Sequence, residues 1–170
     1  MSLPPDFIVL CRDRLGIEEP GVDGPVVPRD QVLSFASALK DELDFRFFVT
    51  VVATHYPAEE AVEANEEKGT EAIAAKPDRT IVMYRARRLQ NAERPTSIAA
   101  FQVEVPTGES TPSLCGVWAG ADWQEREQYD LVGTIFADHP DLRRIMMPED
   151  WPGHPLRRDY AIDTSHFPWR

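Results

Sequence analysis

Three runs of β-branched and aromatic residues constrain the fold of this chain most. They span residues 45–54, 79–86 and 97–105, and the first ends at Tyr56-Pro57. Such residues favour the pleated, half-buried surface of a sheet, and the polar connection between the last two runs suits a hairpin. Apolar residues recur with helical spacing over 30–43, and a first helix is predicted over 6–15. A helix followed by a strand and then two more strands predicts an α+β fold, with helices packed on a small mixed sheet.

Capping residues refine the ends of these helices. Asp6 and Asp30 are predicted N-caps, and Gly16 is predicted to end the first helix. A further helix is predicted over 123–132 with Asp122 as its N-cap, since Asp122 and Glu125 have the spacing of a capping box. Gly133 should end that helix. Val26-Val27 is predicted to form a short extended segment.

The chain changes character towards its end. Residues 137–170 contain five of the fifteen prolines and three of the four histidines. We therefore predict an α+β domain over 1–136 and an extended Pro/Arg/His-rich docking tail over 137–170. The glutamate-rich stretch at 58–78 is predicted to be a solvated loop or an exposed helix.

Composition excludes several classes of function. The formal net charge of −11 disfavours nucleic-acid binding, because the chain would repel phosphate backbones. Two cysteines, at positions 11 and 115, cannot supply the four thiolates of an iron–sulfur cluster or of a four-cysteine zinc site. No apolar run is long enough to span a membrane, and we expect a soluble chain that meets a membrane only through a partner. Dinucleotide, P-loop and nucleophile-elbow motifs are missing from the sequence.

Charged residues concentrate in one helix and in the proposed tail. Glu125, Arg126, Glu127 and Asp130 precede two arginine pairs, at 143–144 and 157–158. Paired carboxylates could perform acid–base chemistry if burial separated their pKa values. Nearby arginines favour the opposite, since they hold carboxylates ionised in forked hydrogen bonds. We therefore favour a structural salt-bridge network over a catalytic site.

The tail contains a near-duplication. His139-Pro140 and His154-Pro155 are each followed by an arginine pair, and the prolines should aim these arginines outward. Arginines and tryptophans dominate protein interfaces, which favours a protein partner for this segment. A metal site that combines these histidines with Asp138, Asp141 or Asp159 is a weaker alternative. His55 and His166 are interpreted as polar surface or interface residues.

Residues 122–160 resemble a known family. The runs EREQYDLVGTIFADHPDLRRIM and PEDWPGHPLRRDY are similar to the 30 kDa subunit of respiratory complex I, the proton-translocating NADH:quinone oxidoreductase. The preceding GVWAGADW resembles the approach to that motif. The resemblance implies an accessory subunit of the peripheral arm, on the cytoplasmic side of the bacterial inner membrane. The positions that match the family motif are Glu125, Arg126, Glu127, Asp130, Gly133, His139, Pro140, Arg143, Arg144, Gly153, His154, Pro155, Leu156, Arg157, Arg158 and Asp159.

The same resemblance implies what this chain lacks and what it binds. Catalytic, cofactor-binding and metal-binding residues are expected to be absent here, with NADH, FMN, Fe-S clusters and quinone held by partner subunits. The expected partners are the 49 kDa quinone-site subunit and the neighbouring cluster-bearing subunits. Two alternatives stay open: the equivalent subunit of a membrane-bound hydrogenase or cofactor-F420 dehydrogenase, and a free-standing metal-dependent enzyme that uses His139 and His154.

Overall fold

The protein is an α+β structure, as predicted. A computed structural model describes residues 3–61, 74–89 and 95–161. In chain order the elements are α1 (Pro5–Leu15), a 3-10 turn (Arg29–Gln31), α2 (Val32–Asp41), β1 (Phe47–Tyr56), β2 (Arg79–Arg88), β3 (Ser97–Pro106), β4 (Ser110–Pro112), α3 (Ala121–Val132) and β5 (Ile135–Ala137). In the described part of the chain, no helix is both long and apolar enough to cross a membrane.

Two separate sheets make up the β structure. Strands β1, β2 and β3 lie in that order and are antiparallel, so that Val52 faces Met83 and Met83 faces Gln102. The shift in register between Phe48 and Thr50 marks a β-bulge in β1. Strands β4 and β5 form a short parallel pair. The β structure as a whole therefore contains both antiparallel and parallel strand pairs, although each of the two sheets contains only one kind.

The core lies on one face of the three-stranded sheet. Phe35 of α2 packs edge-on against Phe101 of β3 and against Phe7 of α1, with ring centroids 5.4 and 6.2 Å apart. Tyr84 of β2 stacks on Phe101 at 5.0 Å, and all four rings are buried. Burial of such aromatic side chains contributes about 1.5–3 kcal/mol each. Helices α1 and α2 thus cover the inner face of the sheet.

Helix α3 lies along the edge of β1. The Gln124 side-chain carbonyl accepts a hydrogen bond from the Val51 amide at 3.0 Å, and that of Gln128 accepts one from the Ala53 amide at 2.9 Å. These side chains take the place of a neighbouring strand. An edge with satisfied amides does not offer a template for pairing with another chain.

The predicted helix ends are right at the glycines and wrong at the aspartates. Gly16 and Gly133 have positive φ angles and end α1 and α3. The N-cap residues are Pro4, Gln31 and Gly120, and none caps its helix with a side chain. Asp6 is instead an ion-pair partner of Arg88, and Glu125 accepts hydrogen bonds from the 113–115 loop rather than closing a capping box.

The remaining predictions concern the proposed tail and the glutamate-rich stretch. The predicted boundary between 136 and 137 falls within β5, and the division into a domain and a tail stays a prediction. Residues 138–161, named here the C-terminal segment, contain neither helix nor strand. Most of the glutamate-rich stretch, at 62–73, lies outside the described residues.

Candidate functional site

Asp130 of α3 holds the start of the C-terminal segment. Its buried carboxylate accepts hydrogen bonds from the amides of Ile145, Met146 and Met147 at 2.7–3.0 Å. It also pairs with the Arg144 guanidinium at 3.1 Å. Burial alone would raise the pKa of Asp130, but these donors outweigh it and hold the pKa below its ordinary range. The carboxylate is therefore ionised and fully used inside the chain.

Glu125, five residues earlier on α3, holds the loop before the helix. It accepts hydrogen bonds from the Ser113 hydroxyl at 2.6 Å and the Leu114 amide at 2.8 Å. The side chain is completely buried, and burial raises its pKa, although the two donors oppose this shift. Because both strong donors come from one loop, Glu125 fixes that loop against α3.

His139 lies beside Glu125 and has a defined tautomer. Its Nδ1 accepts a hydrogen bond from the Asp141 amide at 3.1 Å, so the ring proton sits on Nε2. Nε2 lies 3.2 Å from the Asp122 carbonyl oxygen, to which it donates, and 4.0 Å from the Glu125 carboxylate. The imidazole therefore joins the C-terminal segment to the start of α3.

Arg126 makes a second connection between α3 and the segment. Its guanidinium is buried, 3.6 Å from the Asp141 carboxylate, and its Nε donates to the Arg143 carbonyl at 3.4 Å. It also stacks over the Trp123 ring, with 4.8 Å between the guanidinium carbon and the ring centroid. Glu127 is half-buried on the same helix.

His154 closes the far end of α3. Its Nδ1 donates to the Asp130 carbonyl at 2.8 Å, and the following backbone is held by a bond from the Leu156 amide to the Leu131 carbonyl at 2.8 Å. The ring lies against Gly133, where a Cβ atom would come within 2.6 Å of the imidazole. Glycine at 133 thus allows both the left-handed helix end and the approach of the ring.

A cluster around His55 joins the end of the C-terminal segment to the sheet. His55 is buried at the end of β1, with Nε2 2.7 Å from the Asp78 carboxylate and Nδ1 accepting from the Arg158 amide at 3.3 Å. Arg157 lies 2.8 Å from the ring and forms a forked ion pair with Asp159. The interpretation of His55 as a polar surface or interface residue is therefore wrong, and His166 lies outside the described residues. The alternation of buried residues along β1 could have indicated this, because Val51, Ala53 and His55 share one face.

The two arginine pairs behave alike. The expectation that both members point outward is wrong for Arg144 and Arg157, whose side chains turn inward to Asp130 and to the His55 cluster. Arg143 and Arg158 are the exposed members, although Arg158 also covers the Tyr56 ring at 4.5 Å. Adjacent residues in an irregular segment point in different directions, so a pair supplies one internal contact and one surface charge. Pro140 is exposed and Pro155 is half-buried.

Two groups of side chains in the described chain have the composition of a metal site. Cys115, Glu125 and His139 form one, and His55, Asp78 and Asp159 form the other, each with ligand atoms within 4.8 Å. Neither arrangement favours a cation. His139 carries its proton on the nitrogen that faces Glu125, and the Arg157 guanidinium already compensates the carboxylates beside His55. His139 and His154, which the metal-enzyme alternative combines, fall in no common group among the described residues.

The side chains brought together around α3 perform one kind of task. Carboxylates accept backbone amides, histidines bridge backbone groups, and arginines pair with aspartates. The arrangement fixes an irregular segment across a helix and a sheet end.

Comparison with known proteins places the chain in a family. The family model described as "Respiratory-chain NADH dehydrogenase, 30 Kd subunit" matches residues 25–166. A relative from Geotalea uraniireducens, named as the C subunit of NADH-quinone oxidoreductase, is 37% identical over 138 residues, which are 81% of this chain and 71% of the relative. Proteins of the same name from Mycolicibacterium gilvum and Moorella thermoacetica are 38% and 34% identical, over 91% and 85% of this chain and 58% and 85% of theirs.

A solved structure has a similar fold. It is described as "Nqo5 of the trypsin-resistant fragment (1-134) in P63 form" and aligns with a TM-score of 0.52 and 25% sequence identity, covering 73% of this chain and 87% of that one. The names of the relatives support an NADH-quinone oxidoreductase over a hydrogenase-type complex. From the match over 25–166 and from these relatives, the chain belongs to the 30 kDa subunit family of the respiratory-chain NADH dehydrogenase.

Proposed function

We propose that this chain is a non-catalytic structural subunit of the peripheral arm of a proton-translocating NADH:quinone oxidoreductase. The observation that supports this proposal is the internal use of the motif. Asp130, Glu125, Arg126, His139 and His154 are all occupied in fixing the C-terminal segment against α3. A side chain committed to backbone hydrogen bonds and ion pairs is poorly placed to exchange protons or electrons with a substrate.

The proposal extends to partners and place. The chain would dock on the 49 kDa quinone-site subunit, with cluster-bearing subunits beside it, on the cytoplasmic side of the bacterial inner membrane. NADH, FMN, Fe-S clusters and quinone would be held by those partners and none by this chain. The C-terminal segment would make this contact through side chains that the internal network leaves exposed, among them Arg143, Met146 and Leu156.

The experiment introduces charge changes at exposed positions of the segment. Arg143→Glu combined with Met146→Glu should lower both co-purification of the 49 kDa subunit and NADH:quinone reductase activity in membranes. The isolated variant should keep its circular dichroism spectrum, because neither exposed side chain is in the core. Leu33→Glu, at an exposed position of α2, is the matched control.

Two outcomes would overturn the proposal. One is normal assembly and activity of the double variant when the Leu33→Glu control is also normal. The other is stoichiometric flavin, iron or zinc in the purified wild-type chain, measured by absorbance and elemental analysis.

A further inference from the structure

The outer face of the three-stranded sheet carries an apolar centre. Helices α1 and α2 pack on the inner face, whereas Val52, Ile81 and Met83 lie on the other side of β1 and β2. Val52 is 46% exposed, and the two neighbours in β2 are half-buried. Of the helices in the described residues, α1 and α2 pack on the inner face and α3 lies along the edge of β1. An apolar sheet face that lacks a covering layer is typical of an interaction surface.

One end of this face is basic and aromatic. Arg85 and Arg87 follow Met83 at every second position of β2, so they lie on the same face, and both are exposed. Phe47 of β1 faces Arg87 across the strands, with 58% of its surface exposed. Asp23 approaches Arg85 only to 3.9 Å, and such an exposed pair compensates its charge weakly. Positive charge stands out in a chain with a net charge of −11. Large aromatic residues and arginines are the side chains that contribute most to protein interfaces.

At the opposite end of the face, arginines of the same chain cover the aromatic ring of Tyr56. Arg79 lies over the Tyr56 ring from one side and pairs with Glu104 at 3.3 Å, and Arg158 of the C-terminal segment covers Tyr56 at 4.5 Å. The aromatic ring there is already covered by cations of the same chain. A partner therefore meets apolar side chains in the middle and weakly compensated positive charge at the Phe47 end.

The sheet edges restrict the form of the partner. Gln124 and Gln128 occupy the amides on the edge of β1, and residues 25–27 pair with Gln102 on the edge of β3. Addition of a strand is disfavoured at both edges where these bonds lie. A helix packed across the face, as α1 and α2 are on the inner face, would cover the apolar row instead.

We propose that the outer face binds an amphipathic helix of a neighbouring subunit of the complex. The apolar residues of that helix would cover Val52, Ile81 and Met83, and its carboxylates would pair with Arg85 and Arg87. This inference rests on the proposed function, because it needs the chain to be assembled with other subunits. The outer face is a different surface from the one in the proposed function, because the C-terminal segment lies against α3 and at the Tyr56 end of the sheet.

The experiment uses the assembled complex and two matched pairs of variants. Val52→Glu places a charge in the apolar row, and Val9→Glu places one on α1 at a position that is 43% exposed. Arg85→Glu and Arg12→Glu reverse charges of similar exposure on the outer face and on α1. We expect the outer-face variants to lower the fraction of chain in the complex about tenfold, which corresponds to roughly 1.4 kcal/mol of binding free energy. The α1 variants should assemble like wild type.

A photo-crosslinking residue at position 52 identifies the occupant. The expected product joins this chain to a helical peptide of another subunit that carries aliphatic and acidic residues. A crosslink to lipid, to a second copy of this chain or to a basic peptide would overturn the inference. So would normal assembly of both outer-face variants while wild type is found in the complex. If the wild-type chain itself fails to co-purify with the complex, the proposed function fails first.

Discussion

At the scale of single residues, two buried carboxylates of α3 have pKa values shifted in opposite directions. Glu125 is buried among few donors, and burial raises its pKa. Asp130 is also buried, but three backbone amides and Arg144 hold its pKa below the ordinary range. The number and charge of donors decide the sign of the shift, as expected when hydrogen bonds to the ionised form compete with desolvation.

Replacing Asp130 should destabilise the fold severely. Asp130→Ala leaves the three amides that face this buried side chain without their acceptor and removes the ion-pair partner of Arg144, and we expect a loss of about 3–5 kcal/mol in the free energy of unfolding. Asp141→Ala removes an exposed carboxylate from the same network and should cost far less, because solvent screens exposed ion pairs. Urea unfolding of the two variants measures the difference. Equal losses would show that Asp130 does not hold the segment.

The buried Glu125 should leave a signature in the pH dependence of stability. The pKa of Glu125 is higher in the folded state than in the unfolded state. The protonated side chain therefore adds to the free energy of unfolding in acid, and this contribution is lost as the pH rises through the folded pKa. Glu125→Gln removes this loss and keeps an oxygen for the Leu114 amide. The free energy of unfolding of the variant relative to wild type should therefore increase from acidic to neutral pH. A difference that is constant across that range would contradict the raised pKa.

At the scale of elements, the end of α3 depends on one glycine. Gly16 and Gly133 both have positive φ, but of these two only Gly133 has a described neighbour at the position of a Cβ atom, the His154 ring at 2.6 Å. The helix end and the packing of the C-terminal segment therefore share one residue.

Alanine substitutions separate these two roles. Gly16→Ala should cost about 1–2 kcal/mol, which is the penalty for a left-handed alanine. Gly133→Ala carries the same penalty and must also displace His154, with the loss of about 1 kcal/mol from its hydrogen bond to Asp130. Thermal unfolding of both variants tests this order. If Gly133→Ala is no worse than Gly16→Ala, then His154 moves aside at no cost.

At the scale of the whole molecule, the C-terminal segment connects two layers. Asp130 and His154 attach it to α3, and the His55 cluster attaches its end to β1 and to the loop before β2. These contacts determine which side chains of the C-terminal segment stay exposed, and therefore which of them a partner can bind.

Loss of the second attachment should free the end of the segment without unfolding the domain. Arg157→Ala removes the guanidinium that lies between Asp78, Asp159 and His55. The Arg158 amide donates to His55, and we expect it to exchange hydrogen about tenfold faster in the variant. The exchange rates of the β2 amides should not change. Arg143→Ala, which removes an exposed arginine paired with Asp141, serves as the control. Unchanged exchange at Arg158 would mean that the remaining contacts of the cluster suffice.

The sequence by itself determined the three helices, the three long strands and the family, but not the short strands β4 and β5. Periodicity in 30–43 and in the three strand runs, and glycines at helix ends, follow from local backbone and side-chain preferences, and the motif of 122–160 is contiguous in the chain. The burial of His55 in the regular strand β1 agrees with the alternation of buried residues along that strand. Local preference does not determine where a side chain points once the backbone is irregular, so the sequence does not indicate the inward turns of Arg144 and Arg157. Those outcomes depend on partners 14 to 102 residues distant in sequence. Only the tertiary structure decided them, because burial and pairing depend on which distant groups meet in space.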